Sequence, residues 1–288
     1  GTVTHAMEAV SAVKMRKAQE RALSGRAYAA AALSVLERLA GTADAERHAL
    51  VRDQEGKTCF VVITSDKGLA GSLNSAVVRE VEREISSRRL AKNDIVMIAI
   101  GRRGGDYFAS RDYEVRAKHE NIGDGVSETH MLMVTDKILE WHASGEIGSC
   151  VIAYQNFLST FEQEAGARPI VPITAQVMRE MVAHIRPAKG KYAPEAGEKH
   201  SQPAVYTFEP DADEILGALL PKLLNVAVFH AMLEAKASEH SARMVAMKNA
   251  TDKAKEMAGD LTRTFNKVRQ AVITREVSEI TSGIEAMK

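Results

Sequence analysis

Residues 247–272, with the sequence MKNATDKAKEMAGDLTRTFNKVRQAV, decide the fold of this chain. Apolar and small residues recur there at steps of three and four, close to the 3.5-residue period of a left-handed coiled coil; they are Met247, Ala250, Ala254, Met257, Leu261, Phe265, Val268 and Val272. From Pro221 to the last residue the sequence stays compatible with a helix, which at about 1.5 Å per residue is a rod of roughly 100 Å. Such a rod needs a partner helix to cover its apolar face.

The partner helix is predicted at the other end of the chain. From Val3 to about Val51 the apolar residues again recur at three- and four-residue steps, and charged residues occupy the positions between them. Because the two helical ends flank a middle region in which the chain can turn round, the sequence predicts an antiparallel pair within one chain. Small residues on both helices would allow a close approach, namely Ala6, Ala9, Ala12 and Ala18 with Ala250, Ala254 and Ala258.

The middle of the chain alternates short β-rich runs with helical runs. Strands are predicted at Cys59–Thr64, Ile95–Ile100, Cys150–Gln155 and Ile170–Ile173, and helices at Leu73–Arg89, Asp106–Arg111 and Ser127–His142. This alternation predicts a Rossmann-like α/β domain whose first strands are parallel. The fold class is therefore α/β, with an N-terminal shaft helix in residues 1–56, a central domain in 57–210 and a C-terminal shaft helix in 211–288. Within the domain, residues 186–203 are predicted to form a mobile loop.

Composition excludes several classes of protein. The 288 residues carry 38 basic and 38 acidic side chains, so no net charge favours nucleic-acid binding. The longest apolar runs, such as residues 94–101, are far shorter than the roughly 20 residues of a membrane span. Cys59 and Cys150 have no further Cys or His at ligand spacing, which predicts neither a disulfide framework nor a zinc site. The chain begins at Gly1 with a helical pattern already under way, from which we expect that residues preceding it are missing.

A ligand-binding or catalytic site is predicted to be absent. The turn Thr64–Asn74 follows a strand and opens a helix, where a phosphate-binding loop would lie, but it has neither the Walker pattern nor the three-glycine dinucleotide spacing. The turn at Gly101–Gly105 is interpreted in the same way. The nine histidines form no metal-binding pattern, and each is expected to be a surface or partly packed imidazole. We therefore expect no catalytic residue, no cofactor and no metal.

The polar residues of the C-terminal rod are a better candidate for function. They include Arg243, Arg269, Gln270, Thr274 and Arg275. The ordinary interpretation of such residues is a solvated helix face. The stretch Arg269–Met287, however, mixes Ala, Val, Ile and Thr with few of the Glu-to-Lys pairs that stabilise a free helix. A rod end that is apolar on more than one side predicts a sleeve of other protein around it.

Four blocks of sequence resemble a known family. Residues 2–19 (TVTHAMEAVSAVKMRKAQ), 63–74 (ITSDKGLAGSLN), 241–252 (SARMVAMKNATD) and 266–283 (NKVRQAVITREVSEITSG) closely resemble the gamma-subunit family of the F-type ATP synthase, in the same order. The resemblance implies a non-catalytic central-stalk rotor inside a ring of three alpha and three beta subunits. It also implies that the epsilon subunit and the membrane c-ring lie near the α/β domain.

The resemblance assigns roles to individual residues. Arg269, Gln270 and Thr274 match positions that contact a beta-subunit loop around the upper shaft, Arg243 matches a polar contact further down, and Met7 faces the beta subunit. Residues 208–211 (FEPD) are similar to the family's Tyr-Glu-Pro-Asp, so Glu209 would lie at the foot near epsilon and the c-ring. The chain departs from the family pattern at Ala70 and Ser72, where Cys and Gly are common, and at His5, where Lys is commoner.

Two other functions stay open at this point. The first is a protein of the α/β class that binds a phosphorylated ligand at Thr64–Asn74 and uses its helices as an oligomerisation arm. The second is a coiled-coil scaffold that links two partners without moving. If the chain is a rotor, we expect it on the cytoplasmic face of a bacterial plasma membrane, peripheral and without a span of its own; the alternative is the matrix face of the mitochondrial inner membrane.

Overall fold

Two long helices at the ends of the chain enclose an alternation of strands and shorter helices. The computed structural model describes residues 2–39, 48–185 and 212–287; for residues 2, 22–39, 175, 182–185 and 212–215 it describes the backbone alone. The order is α1 (Thr2–Leu39), β1 (Lys57–Ile63), α2 (Leu73–Ser87), β2 (Ile95–Ile100), α3 (Arg102–Ala109), β3 (Val115–His119), α4 (Glu128–Ala143), β4 (Ile147–Phe157), β5 (Gln163–Val171), α5 (Ala175–Ile185) and α6 (Ala212–Ala286). A single 3₁₀ turn, Lys92–Asp94, leads into β2.

The strands form one five-stranded sheet in the order β3-β2-β1-β4-β5. Strands β1 to β4 are parallel and β5 is antiparallel to β4. The central strands read as continuous apolar runs because helices cover both faces of the sheet; every residue of β2 is buried. Cys59 and Cys150 lie opposite each other on β1 and β4, both as buried free thiols, and burial raises the pKa of Cys150 well above its ordinary value. The predicted α/β class with parallel first strands is confirmed.

Each face of the sheet has its own apolar core. On one face α2 and α3 cover the sheet, and Val77, Val81 and Phe108 pack against Phe60 and Val62. On the other face α4 and the first part of α6 pack against the alternate residues of the same strands; the buried side chains include Val134, Ile138, Leu216, Leu220, Leu224 and Val228. The C-terminal helix is therefore anchored in the domain before it leaves it.

The first part of α6 is strongly apolar. By length and composition alone, Leu216–Ala286 qualifies as a membrane span, because an 18-residue window has a mean hydropathy of 1.6. The prediction that all apolar runs are too short for this was wrong. Half of that window is buried inside the protein, as is usual for the core helix of a globular domain.

Helices α1 and α6 lie side by side and antiparallel, as predicted. The Thr251 hydroxyl donates a hydrogen bond to the Thr4 hydroxyl (2.7 Å). About ten residues away, Lys14 on α1 and His240 on α6 both contact Asp124. Because residue numbers rise along one helix as they fall along the other, the two helices run in opposite directions.

In the described part of the chain, the predicted coiled-coil pairing extends less far than the sequence pattern indicates. Met247 is buried, but every described residue from Asp252 to Met287 is exposed. Thr4 lies opposite Thr251, near the first described residue of α1, so none of the described residues covers Ala254, Met257 or the later positions. Among the described residues, the predicted pairing is therefore seen up to Thr251, and its continuation to Val272 stays a prediction.

Most predicted elements agree with the structure, but the strand predicted at Ile170–Ile173 overlaps β5 (Gln163–Val171) only at residues 170–171, and two elements were not predicted. Leu73–Arg89 and Ser127–His142 correspond to α2 and α4 within two residues at each end, whereas α3 begins four residues earlier than predicted. Strand β3 and helix α5 were missed. The predicted mobile loop at residues 186–203 lies outside the described residues.

Candidate functional site

The part of the molecule that calls for a partner is the exposed end of α6, residues 252–287. All of these residues are exposed, and all but the last lie within α6. At about 1.5 Å per residue the segment is roughly 54 Å long. A lone helix of this kind gains no stability from packing, and packing is what stabilises most helices in proteins. This end of α6 is therefore a surface built to be covered.

The apolar side chains of the exposed end form two stripes. The first apolar stripe consists of Met257, Leu261, Phe265, Val268 and Val272, and the second of Ile273, Val277, Ile280, Ile284 and Met287. With about 100° of rotation per residue, each stripe occupies a sector of roughly 80°, and the second is turned about 120° from the first. The change falls between Val272 and Ile273, where the spacing of three or four is replaced by one residue. A single partner helix on one side would cover only one stripe.

Three predicted contact residues lie near this change of stripe. Arg269, Gln270 and Thr274 are all exposed on α6. Gln270 and Thr274 are four residues apart and share a face of the helix, while Arg269 lies about 100° away. Within residues 252–287, the ion pairs that do form join neighbouring side chains of the helix itself, such as Arg275 with Glu279 (2.9 Å). The three residues are thus available to another molecule.

Two further predicted contact residues lie lower on the shaft. Met7 is half-buried on α1, and Arg243 is 9% exposed on α6. The Arg243 guanidinium donates to the Glu239 carboxylate (2.8 Å), which also pairs with Lys236. Burial opposes ionisation of Glu239, but the charges of Lys236 and Arg243 outweigh it, and the pKa of Glu239 is lowered. Arg243 is therefore already engaged within the chain. Glu209 lies outside the described residues.

The turn Thr64–Asn74 uses its polar groups to hold loops together. The Asn74 side chain accepts from the Ser65 backbone N–H (2.9 Å), and the Thr64 hydroxyl accepts from the Gly104 N–H (2.8 Å). The cavity at the carboxyl ends of the parallel strands, where Rossmann folds bind ligands, measures about 20 Å³. Met232, Ala235, Lys236 and Glu239 of α6 line it. A space of this size is close to that of one water molecule, so the described residues leave no room for a nucleotide there.

Several histidines differ from the expectation of surface or partly packed imidazoles. His142, His230 and His240 are buried, at 2–5% exposed. His240 Nε2 lies 2.7 Å from an Asp124 carboxylate oxygen, and His230 pairs with Glu234 (3.4 Å). Sequence patterns did not reveal the His240 contact because Asp124 is far from His240 along the chain.

The fold and this surface define a class: an α/β domain that carries a two-helix shaft with one bare, apolar end. The family model described as "ATP synthase" matches residues 1–287. The chain belongs to the ATP synthase gamma chain family. The gamma chain of Heliobacterium modesticaldum is 35% identical over 286 residues, covering 99% of this chain and 93% of the relative. That of Roseiflexus castenholzii is 38% identical over 288 residues, covering 99% and 92%.

Solved structures share the fold. The central stalk of the Tetrahymena thermophila mitochondrial ATP synthase has a TM-score of 0.61 at 22% identity, covering 86% of this chain and 99% of the other. The rotor of the Euglena gracilis mitochondrial ATP synthase has a TM-score of 0.58 at 18% identity, covering 94% and 93%. The family and fold expected from the sequence are therefore confirmed.

Proposed function

We propose that this chain is the central-stalk rotor subunit of a proton- or sodium-translocating F-type ATP synthase. One observation carries the proposal: the exposed end of α6 presents apolar side chains in two sectors, which together need contacts on more than one side of the helix. A ring of three alpha and three beta subunits has this geometry. Membership of the gamma chain family supports the same partners. The solved structures that share the fold are described as a central stalk, a rotor and a complex with a c-ring.

The proposed mechanism follows from the asymmetry of the shaft. Each beta subunit of the ring would meet a different face of α1 and α6, and a contact can shift a conformational equilibrium only by the difference in its free energy between the two states. As the shaft turns, each beta subunit passes through states of different nucleotide affinity. Ion-driven rotation thereby becomes ATP release, and ATP hydrolysis turns the shaft in reverse.

The chain itself has no catalytic role in this proposal. Arg269, Gln270 and Thr274 would contact a beta-subunit loop around the upper shaft, and Met7 and Arg243 would lie in contacts further down. Glu209, in the domain proposed for residues 57–210, would lie at the foot near epsilon and the c-ring. The shaft would be made of residues 1–56 and 211–288. The chain would be peripheral to the membrane, on the cytoplasmic face in a bacterium, and held there through the complex.

A reversible cross-link tests rotation. We would introduce Gln270→Cys together with a cysteine on the facing beta subunit and oxidise the assembled complex. The native Cys59 and Cys150 are buried, so the reaction is confined to the introduced pair. A rotor predicts that ATP hydrolysis stops on oxidation and returns on reduction. Full hydrolysis with the bond intact would show a static scaffold.

Titration calorimetry of the isolated chain tests the phosphorylated-ligand alternative. The rotor proposal predicts no heat of binding with ATP, ADP or inorganic phosphate, because α6 fills the site where a Rossmann fold would hold them. Specific, saturable binding that is lost on substitution in residues 64–74 would favour the alternative. Membership of the family argues against that result.

A further inference from the structure

One carboxylate joins the three parts of the molecule. Asp124, in the loop between β3 and α4, contacts Lys14 Nζ on α1 through one oxygen (2.8 Å) and His240 Nε2 on α6 through the other (2.7 Å). Its backbone carbonyl accepts from the Arg21 guanidinium (3.0 Å). Asp124 therefore bonds to both shaft helices and belongs to neither.

The loop that carries Asp124 is fixed to the domain. Ile122 and Val126, two residues on either side, are buried in the larger core. The Asn121 backbone N–H donates to the Asp66 carboxylate (3.0 Å), next to the end of β1. The position of the Asp124 carboxylate is therefore set by the sheet and its core.

The hydrogen-bonding state of His240 suits this contact. An ionised carboxylate only accepts, so Nε2 must carry the proton that it donates to Asp124. The other ring nitrogen, Nδ1, is buried and has no partner among the described residues. The neutral imidazole with its proton on Nε2 meets both requirements, and it points one donor at the carboxylate.

The two helices need such a fixed point. The described buried positions of α1 that face its neighbours are small or flexible: Ser11, Met15 and Ala18. Small side chains let helices approach closely but interlock weakly, so the pair can shift along its axis. A polar contact at one position is a known way to fix the register of paired helices.

We propose that Asp124 is a positioning residue that fixes the axial register of α1 against α6 and ties both helices to the α/β domain at the level where they leave it. A shift of either helix by one turn, about 5.4 Å, would break a bond to Asp124. In the part that concerns torque, the inference rests on the proposed function: a pair that slips at its base would store rotation as twist instead of transmitting it.

Cysteine cross-linking in the full-length chain measures the register directly. The hydroxyls of Thr4 and Thr251 are 2.7 Å apart, so Thr4→Cys with Thr251→Cys reports the native register. Thr4→Cys with Lys255→Cys, one turn further, reports a slipped pair. We expect Asp124→Asn to lower the ratio of native to slipped disulfide about fivefold, the effect of losing roughly one hydrogen bond's net contribution. The matched control is Asp136→Asn, an exposed aspartate on α4.

The outcomes are distinct. An unchanged ratio in Asp124→Asn would overturn the proposal, as would an equal drop in Asp136→Asn. If Asp124→Asn does not fold, Lys14→Met is the second variant, because it keeps the aliphatic stem and removes only the ion pair with Asp124. We expect it to lower the ratio of native to slipped disulfide about twofold. An unchanged ratio would overturn the proposal. His240→Gln, which retains a donor, should preserve more of the ratio than His240→Leu.

The role in torque is read in the assembled complex. Membrane vesicles carrying Asp124→Asn should retain ATP hydrolysis but pump fewer ions per ATP than vesicles carrying Asp136→Asn. Equal numbers of ions pumped per ATP in the two variants would show that Asp124 has no role in transmitting torque. If the chain failed to assemble with alpha and beta subunits at all, the proposed function would be wrong, while the cross-linking ratio would still decide the register.

Discussion

At the scale of single residues, polar groups at the ends of the strands hold the loops of the domain in place. Thr64, Ser65 and Asn74 bond to backbone groups or to each other, and Gly101 lets two loops meet closely. The sequence placed these residues in turns but could not show their partners, because those lie up to 40 residues away along the chain. The same limit hid the Asp124 contacts.

Replacing Gly101 by alanine should destabilise the domain. Its φ is +91°, and an added Cβ would lie 2.0 Å from the Thr64 carbonyl oxygen. Backbone strain and the clash together should lower the free energy of unfolding by at least about 3 kcal/mol. Urea denaturation checks this, with Gly123→Ala as control, since nothing lies within 4 Å of a Cβ there. A loss below about 1 kcal/mol in Gly101→Ala would contradict the geometry.

Acid should destabilise the chain earlier than carboxylates alone would predict. Burial lowers the pKa of His119, His142 and His240, with a smaller contribution from nearby positive charge at the first two. An unfolded histidine binds its proton near pH 6.5, so between that pH and the lower folded pKa values the unfolded state holds more protons. The free energy of unfolding should therefore fall as pH drops from about 7 to 5.

Denaturation curves at pH 7.5, 6 and 5 measure this dependence. Because Asp124 and Glu239 also have lowered pKa values, the loss should continue below about pH 4 as they become protonated. His142→Gln should reduce the slope between pH 7 and 5. A free energy of unfolding that stays constant over that interval would refute the assignment of neutral, buried imidazoles.

At the scale of elements, periodicity predicted what depends on local pattern. The apolar runs of β1, β2 and β4 and the long α6 were all predicted from sequence. Strand β3 was missed because its residues, VRAKH, alternate only weakly and none of the five is fully buried. The pattern of residues 247–272 indicated a partner helix, which the described residues show up to Thr251, but it could not show which residues of α1 lie opposite which residues of α6, since that depends on the register of two distant segments.

A proline at Val268 should break the exposed end of α6. It removes one backbone hydrogen bond and clashes with the preceding turn, at a cost of about 3 kcal/mol in local helix stability. In the assembled complex we expect ATP synthesis to be uncoupled, while Val268→Ala, which keeps the helix, should remain coupled. Normal coupled synthesis in Val268→Pro would count against a stiff shaft.

At the scale of the whole molecule, the chain divides into a part with its own core and a part without one. The α/β domain and residues 216–251 of α6 are packed together, whereas residues 252–287 are all exposed. Local stability should differ accordingly, because helical stability in water comes mainly from packing.

Hydrogen exchange should show this division. In the isolated chain, amides of residues 252–287 should exchange much faster than those of residues 220–250, and in the complex with alpha and beta subunits they should become protected. Mass spectrometry of peptides from the two segments gives the comparison within one sample. Equal protection of both segments in the isolated chain would show that α6 has another partner, such as a second copy.

The offset of about 120° between the two apolar stripes corresponds to a third of a revolution. Inside a threefold ring, the first and second apolar stripes would face two adjacent subunits of the same kind at any one time. Each 120° step would then bring one stripe to the face of the ring that the other stripe had just left, at a different height along the shaft. The shaft would therefore contact the ring at two heights, and the apolar contact at one height would lie one subunit, or 120°, away from the contact at the other.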